Sequence, residues 1–299
     1  MGHIAEALKK AQRERSERLR MNLGDKSPVE ERRAVGRRSE DFSGVRAILA
    51  TGPATQSLCG QLETPPGTGD APWDIHPSLV AHTEKMSSVA EQYRAVRTWL
   101  LSRARSHDRP CLAITSTMPQ EGKTVTTANL AIIMSEVRQM RVLAVDCDLR
   151  EGRLASLFKI TQGPGLAEVL AGDVRLAEAI RPTPIPNLFL LTAGTRGATN
   201  PTELLNSTAA ARVFDEIRER YHYSLVDTPP VQRVSDVGVI GALCTGVLML
   251  VRMQRTPANL ARQALHWLQS NNLNVVGCIA TACSMKAATY TYRSYEKEP

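Results

Sequence analysis

The chain reads as an α/β fold, a mostly parallel central sheet covered by helices on both faces. Two observations predict it. Apolar strand-like runs at 111–116, 142–146, 187–191, 223–227, 246–252 and 274–281 alternate with helical patterns at 123–138, 166–180, 207–220 and 257–270, and such alternation makes a parallel sheet with helices over each face. The first strand also runs through a loop ending in Gly122-Lys123-Thr124 straight into a helical stretch, a junction that builds phosphate sites.

Ahead of the sheet, Val89, Tyr93, Val96 and Leu100 recur at helical spacing and predict an amphipathic helix. The first strand, Cys111-Leu112-Ala113-Ile114, leads into Met118-Pro119-Gln120-Glu121-Gly122-Lys123-Thr124, and Ala128, Leu130, Ala131, Met134 and Val137 line the helix that follows. A turn after a strand aims several backbone N–H groups at one point, and the helix adds its positive end there. Pro119 to Val125 is therefore the expected phosphate-binding stretch. Gly122 lets the backbone come close, Lys123 would reach the β- and γ-phosphates of a nucleotide, and the Thr124 hydroxyl would sit on Mg²⁺. The usual pattern opens with glycine where this chain has Thr117.

The second strand delivers Asp146-Cys147-Asp148-Leu149-Arg150, and a later one delivers Asp227-Thr228-Pro229-Pro230. Ligands bind at the C-terminal edge of an open parallel sheet, where a carboxylate can hold Mg²⁺ directly or through water. Asp146 and Asp148 repel each other unless a cation lies between them, so Thr124, Asp146, Asp148 and Asp227 are the candidate metal ligands. Further along, Asn200-Pro201-Thr202-Glu203 is helix-start chemistry, and Thr256-Pro257 offers the last helix a cap and a first-turn proline.

At 299 residues and 42% apolar, the chain holds one large α/β domain with material left over. Four segments are expected: a basic amphipathic helix at 1–22, a Pro-, Gly- and Ser-containing linker at 23–84, the domain at 85–284, and a tail at 285–299. The leading helix would dock on a partner or an anionic membrane surface, or stand solvated. The net charge is +7, and residues 1–50 carry twelve Lys and Arg against eight Asp and Glu. Phe42 is the one aromatic residue among them, so the aromatic-interleaved pattern of nucleic-acid binding is missing. The six cysteines, Cys59, Cys111, Cys147, Cys244, Cys278 and Cys283, form no CxxC pair and fit a reduced, cytosolic compartment. No apolar run approaches the roughly 20 residues of a membrane span.

The phosphate loop, the Asp-Cys-Asp-Leu-Arg strand end and the Asp-Thr-Pro-Pro strand end together resemble the bacterial tyrosine autokinases of polysaccharide synthesis, the BY-kinases, over roughly residues 85–299. Glu91, Arg94 and Arg97 match that family's Glu-x-x-Arg-x-x-Arg oligomerisation motif, although Ser88-x-x-Glu91 is also a capping box. Tyr290, Tyr292 and Tyr295 resemble a short version of its C-terminal tyrosine cluster, and Ala280-Thr281 replaces the Leu-Asn that ends the last strand in many relatives. The resemblance implies a P-loop NTPase fold, ATP and Mg²⁺ as cofactors, and autophosphorylation of the tail tyrosines between subunits of a ring. It gives Lys123, Asp146, Asp148 and Asp227 the catalytic work, with Asp146 polarising the incoming tyrosine hydroxyl and Arg150 orienting the acidic loop or touching phosphate. It implies a membrane-embedded polysaccharide co-polymerase as activator, a cognate tyrosine phosphatase, and a cytoplasmic place at the inner membrane face. Two other readings stand beside it. One is a partitioning or division-site ATPase switch, a class with lysine where Met118 stands; the other is a catalytically idle nucleotide-binding scaffold.

Overall fold

The computed structural model describes residues 75–103, 109–195, 200–232 and 236–283. The predicted helix at 1–22, most of the predicted linker and the tail with Tyr290, Tyr292 and Tyr295 lie outside them.

Seven strands form one sheet: β1 (Cys111–Ser116), β2 (Val142–Asp146), β3 (Ile180–Pro182), β4 (Leu188–Leu191), β5 (Tyr223–Asp227), β6 (Gly246–Arg252) and β7 (Val275–Thr281). Their order is β3-β4-β2-β5-β1-β6-β7. Every neighbouring pair is parallel except β3 with β4. β1 therefore sits inside the sheet, with β5 and β2 on one side and β6 and β7 on the other. All six predicted strands are present. β3 escapes sequence reading because three residues show no period, and its Pro182 removes a ladder donor.

Successive strand residues point to opposite faces, and the core divides accordingly. Cys111, Ala113, Leu143, Val145, Val226, Val247 and Met249 pack on one side. They meet α5 (Leu166–Ala171), α6 (Leu176–Ala179), α8 (Thr208–Arg220), α9 (Asp236–Leu243) and α10 (Ala258–Ser270). Leu112, Ile114, Val142, Ala144, Leu225, Leu248 and Leu250 pack on the other side, against α1 (Val80–Thr83), α2 (Ser88–Arg103), α3 (Lys123–Ser135) and α4 (Leu154–Leu157). A short helix, α7 (Pro201–Leu205), precedes α8 and starts where the Asn200-Pro201 signal places it, with Asn200 accepting the Glu203 N–H.

Three departures from the sequence reading have physical causes. The pattern at 166–180 is two helices rather than one, because Gly172 turns into the left-handed region at φ +82° and stops α5. α9 was not expected: it is apolar all round, so it shows no amphipathic stripe, and Gly238 and Gly241 lower its helix propensity. The packed region also begins ahead of Lys85. Ile75, Leu79 and Ala81 are buried, and Asn129 of α3 accepts the Ala81 N–H and donates to Ser78 O, each at 2.9 Å. Residues 75–84 belong to the domain; a four-residue helix is too short to display a period.

Candidate active site

β1 ends against the centre of the sheet edge, and the chain must turn from an extended strand into α3 within six residues, 117–122. Two of them take left-handed backbone, Gln120 at φ +63° and Gly122 at φ +97°. Gly122 does so at no steric cost, whereas for Gln120 it costs roughly 1–2 kcal/mol. Thr117 does not, which is why the chain tolerates threonine where the usual pattern has glycine. Lys123 and Thr124 then open α3, and Lys123 is almost wholly buried beneath the loop.

Asp146 and Asp227 are register partners at the ends of β2 and β5, so their backbones stand about 4.8 Å apart, the spacing of adjacent strands. Each is 1% exposed. The Asp146 carboxylate accepts the Asp148 N–H at 3.2 Å and the Leu154 N–H at 3.0 Å, which folds the loop after β2 around it. Burial pushes its pKa up to about 7, against the pull of the Leu154 N–H and with the help of the nearby Asp148 charge. Asp227 is pushed well above the usual carboxylate range by burial and by Asp146, while the Thr124 hydroxyl and Lys123 pull the other way. One Asp227 oxygen, Oδ1, is fully buried with no hydrogen-bond partner.

That orphaned oxygen, beside a threonine hydroxyl and a second carboxylate, fits Mg²⁺, which takes one or two carboxylates and fills its other positions with phosphate and water. Among the described residues no three His, Cys, Asp or Glu side chains form a protein-only cage, and a nucleotide-borne Mg²⁺ requires none. Asp148 sits at the rim, where its Oδ1 accepts the Glu151 N–H at 3.1 Å. Arg150 reaches α7 and α9: its Nε meets Asp236 Oδ2 at 3.2 Å and a terminal nitrogen reaches Thr202 Oγ1 at 3.4 Å. These contacts tie the acidic loop to α7 and α9. Neither partner was visible in sequence, since Asp236 lies 86 positions away with no motif around it.

Glu91, Arg94 and Arg97 lie elsewhere, on α2 against the C-terminal end of α3. Arg94 takes Glu136 with two nitrogens at 3.1 and 3.2 Å, and Arg97 takes it at 3.0 Å. Arg97 also donates to Ile133 O at 2.8 Å. Burial works against ionisation of Glu136, but the two arginines outweigh it and hold the carboxyl below its ordinary range. The Ser87 hydroxyl, rather than Ser88, receives the N–H of Ala90 at the start of α2.

A family model described as an AAA domain matches residues 113–268. Tyrosine-protein kinase wzc of Salmonella typhimurium is 32% identical over 209 residues, 70% of this chain and 29% of that protein. The chain thus spans less than a third of that relative's length. Tyrosine-protein kinase CpsD of Streptococcus agalactiae is 28% identical over 209 residues, 69% of this chain and 90% of that protein. Among solved structures, the kinase domain of Escherichia coli tyrosine kinase ETK superposes with a TM-score of 0.65 at 28% identity, covering 69% of this chain and 82% of that one. The match over more than half of its length places the chain in the AAA-domain family of P-loop proteins, and its curated relatives there are bacterial tyrosine-protein kinases.

Proposed function

We propose that the chain is an ATP-dependent protein-tyrosine autokinase that phosphorylates Tyr290, Tyr292 and Tyr295 of a neighbouring copy and so regulates exopolysaccharide or capsule polymerisation and export. One observation carries the reading: Lys123, Thr124, Asp146 and Asp227 come to one point at the C-terminal sheet edge, with a buried carboxylate oxygen left for a cation. Phosphoryl transfer is mostly positioning and charge neutralisation, and this site offers both. ATP with Mg²⁺ would bring the phosphoryl group and spread its charge. The loop amides and Lys123 would hold the β- and γ-phosphates, and Thr124 and Asp227 would face the cation. Asp146, poised near neutrality and fixed by two backbone N–H groups, accepts the hydrogen bond of the incoming phenol and orients its oxygen. Asp148 extends the acidic rim and Arg150 holds the loop in place.

The same reading gives Glu91, Arg94 and Arg97 the contact between subunits of a ring, which presents each tail to the next site. A membrane polysaccharide co-polymerase would switch the kinase on at the inner face of the membrane, and a tyrosine phosphatase would reset the tail. Among the described residues no helix is long and apolar enough to cross a membrane.

The test is phosphotyrosine blotting of purified protein incubated with ATP and Mg²⁺. Wild type gains signal and Lys123→Met loses it with an unchanged circular dichroism spectrum, because Lys123 is the cationic side chain that the loop supplies to the transferring phosphate. Near-normal signal in a folded Lys123→Met protein would remove the loop from the mechanism.

A further inference from the structure

Thr256 carries a signal that the helix does not use. Thr256-Pro257 reads as a cap and first-turn proline, yet α10 begins at Ala258 with Pro257 as its N-cap residue and no side-chain cap. The Thr256 hydroxyl instead accepts the Arg252 N–H at 3.2 Å and donates to Glu121 Oε1, inside the phosphate loop. Glu121 is 2% exposed, and its other oxygen accepts the Met118 N–H at 3.0 Å. Around this pair stand three more bonds of the same direction. Thr281, the last residue of β7, donates its hydroxyl to Glu121 O at 3.0 Å. Arg252 donates to Gln120 O and Arg255 to Gln120 Oε1, each at 3.0 Å. Among the described residues, the hydrogen bonds that reach 118–122 from outside β1 and α3 come from these two strand ends.

The placement matters because the loop is under strain. Gln120 holds a left-handed backbone without being glycine, and the residues gripping it are Arg252 at the end of β6 and Arg255 just after it, on the side of β1 away from Asp146 and Asp227. A loop that cradles phosphate binds best when its amides already point inward, since ordering it on binding costs affinity. We infer that Thr256, with Arg252 and Thr281, is a positioning latch that holds residues 118–122 in their phosphate-binding shape before nucleotide arrives, with Glu121 as the group through which the latch acts. The inference rests on the nucleotide-binding part of the proposed function and is independent of the phosphate acceptor.

The test compares Thr256→Val, which keeps the shape and loses the hydroxyl, with Thr256→Ser, which keeps the hydroxyl. Hydrogen–deuterium exchange of nucleotide-free protein is read at the peptide covering 117–124, and ATP and ADP affinity by calorimetry. In Thr256→Val that peptide exchanges faster, both nucleotides bind about tenfold more weakly, which is 1.4 kcal/mol, and kcat at saturating ATP stays within about twofold while KM rises. Thr256→Ser restores all three. Wild-type exchange and affinity in Thr256→Val would overturn the latch, and so would a loss that serine does not restore, since a hydroxyl at this position would then not be enough to hold the loop. Should Thr256→Val fail to fold, Arg252→Met at the partly exposed strand end removes instead the latch's side-chain bond to Gln120 O while keeping the Arg252 N–H, with faster exchange expected and unchanged exchange overturning the idea. A wild-type protein that binds nucleotide and makes no phosphotyrosine would sink the kinase reading and leave the latch to its own result.

Discussion

Asp146 and Asp227 face each other across adjacent strand ends with almost no water to share, and their raised pKa values turn directly into a pH dependence. A carboxyl whose folded pKa exceeds its unfolded value near 3.8 stabilises the fold least when ionised, so stability falls as pH rises from about 4 to about 7 for Asp146 and stays low above that. With EDTA present, thermal unfolding should show wild type melting lower at pH 8 than at pH 6. Asp227→Asn should melt higher than wild type at pH 8, by about 2–4 °C for each kcal/mol of relieved repulsion, and lose phosphotransfer. Added Mg²⁺ and ATP should raise the wild-type midpoint more than that of the variant. A variant no more stable than wild type at pH 8 would mean that the buried pair is not repulsive. Asp146 and Asp227 were legible in the sequence because each directly follows an apolar run, and Lys123 and Thr124 because the Gly-Lys-Thr loop joins a strand to a helix; all four are thereby read at one sheet edge. The directions of Asp148 and Arg150 were not legible. Their partners, Glu151, Thr202 and Asp236, are fixed by how the loop, α7 and α9 pack, and no local pattern encodes that.

Among the elements, α2 and α3 bear on assembly. Arg94, Arg97 and Glu136 are each about a third exposed or less, and such partly exposed pairs contribute about 0–1 kcal/mol to stability. Arg94→Ala with Arg97→Ala should therefore leave the melting temperature nearly unchanged. The pair of substitutions should shift the assembled species to monomer in light scattering and reduce phosphorylation between subunits; an unchanged mass would leave the motif as a staple between α2 and α3. Because Glu136 takes both arginines within one chain, Glu136→Gln should release them and raise the assembled fraction at a given concentration. The helices legible in the sequence are those with one apolar face, such as α8 and α10. α1, α4 and β3 are too short to show a period, and α9 is too uniformly apolar to show a face.

At the scale of the whole molecule, the packing of residues 75–84 on the domain leaves 23–74 for the sequence-predicted linker. A flexible chain of about fifty residues reaches roughly 35–45 Å, enough for a docked N-terminus and a catalytic domain held in a ring. Deleting residues 1–22 should then leave kinase activity of the purified protein intact and weaken its co-sedimentation with membranes holding the activator. Equal sedimentation of the two forms would give the membrane contact to the domain itself. The mostly parallel sheet with helices on both faces was read from the alternation of strands and helices, with the phosphate loop at the C-terminal edge where ligands bind. Which strands flank it had to be seen, because pairing is settled by contacts far apart in the chain.

The grip of Arg97 on the last turn of α3 has a consequence for any signal that enters through assembly. α3 is a rod of 13 residues, about 20 Å long. Its amide end faces the proposed phosphate site, and its carbonyl end is held by the residues proposed to meet a neighbour. A subunit that draws Arg94 or Arg97 off Glu136 and Ile133 leaves those carbonyls with one cation fewer, and so alters the field along the same axis that receives the nucleotide. By reciprocity, whatever factor a neighbour imposes on ATP affinity, ATP must impose on the affinity for that neighbour. The dissociation constant of the ring, measured with and without nucleotide, thus reports on both ends of one helix at once.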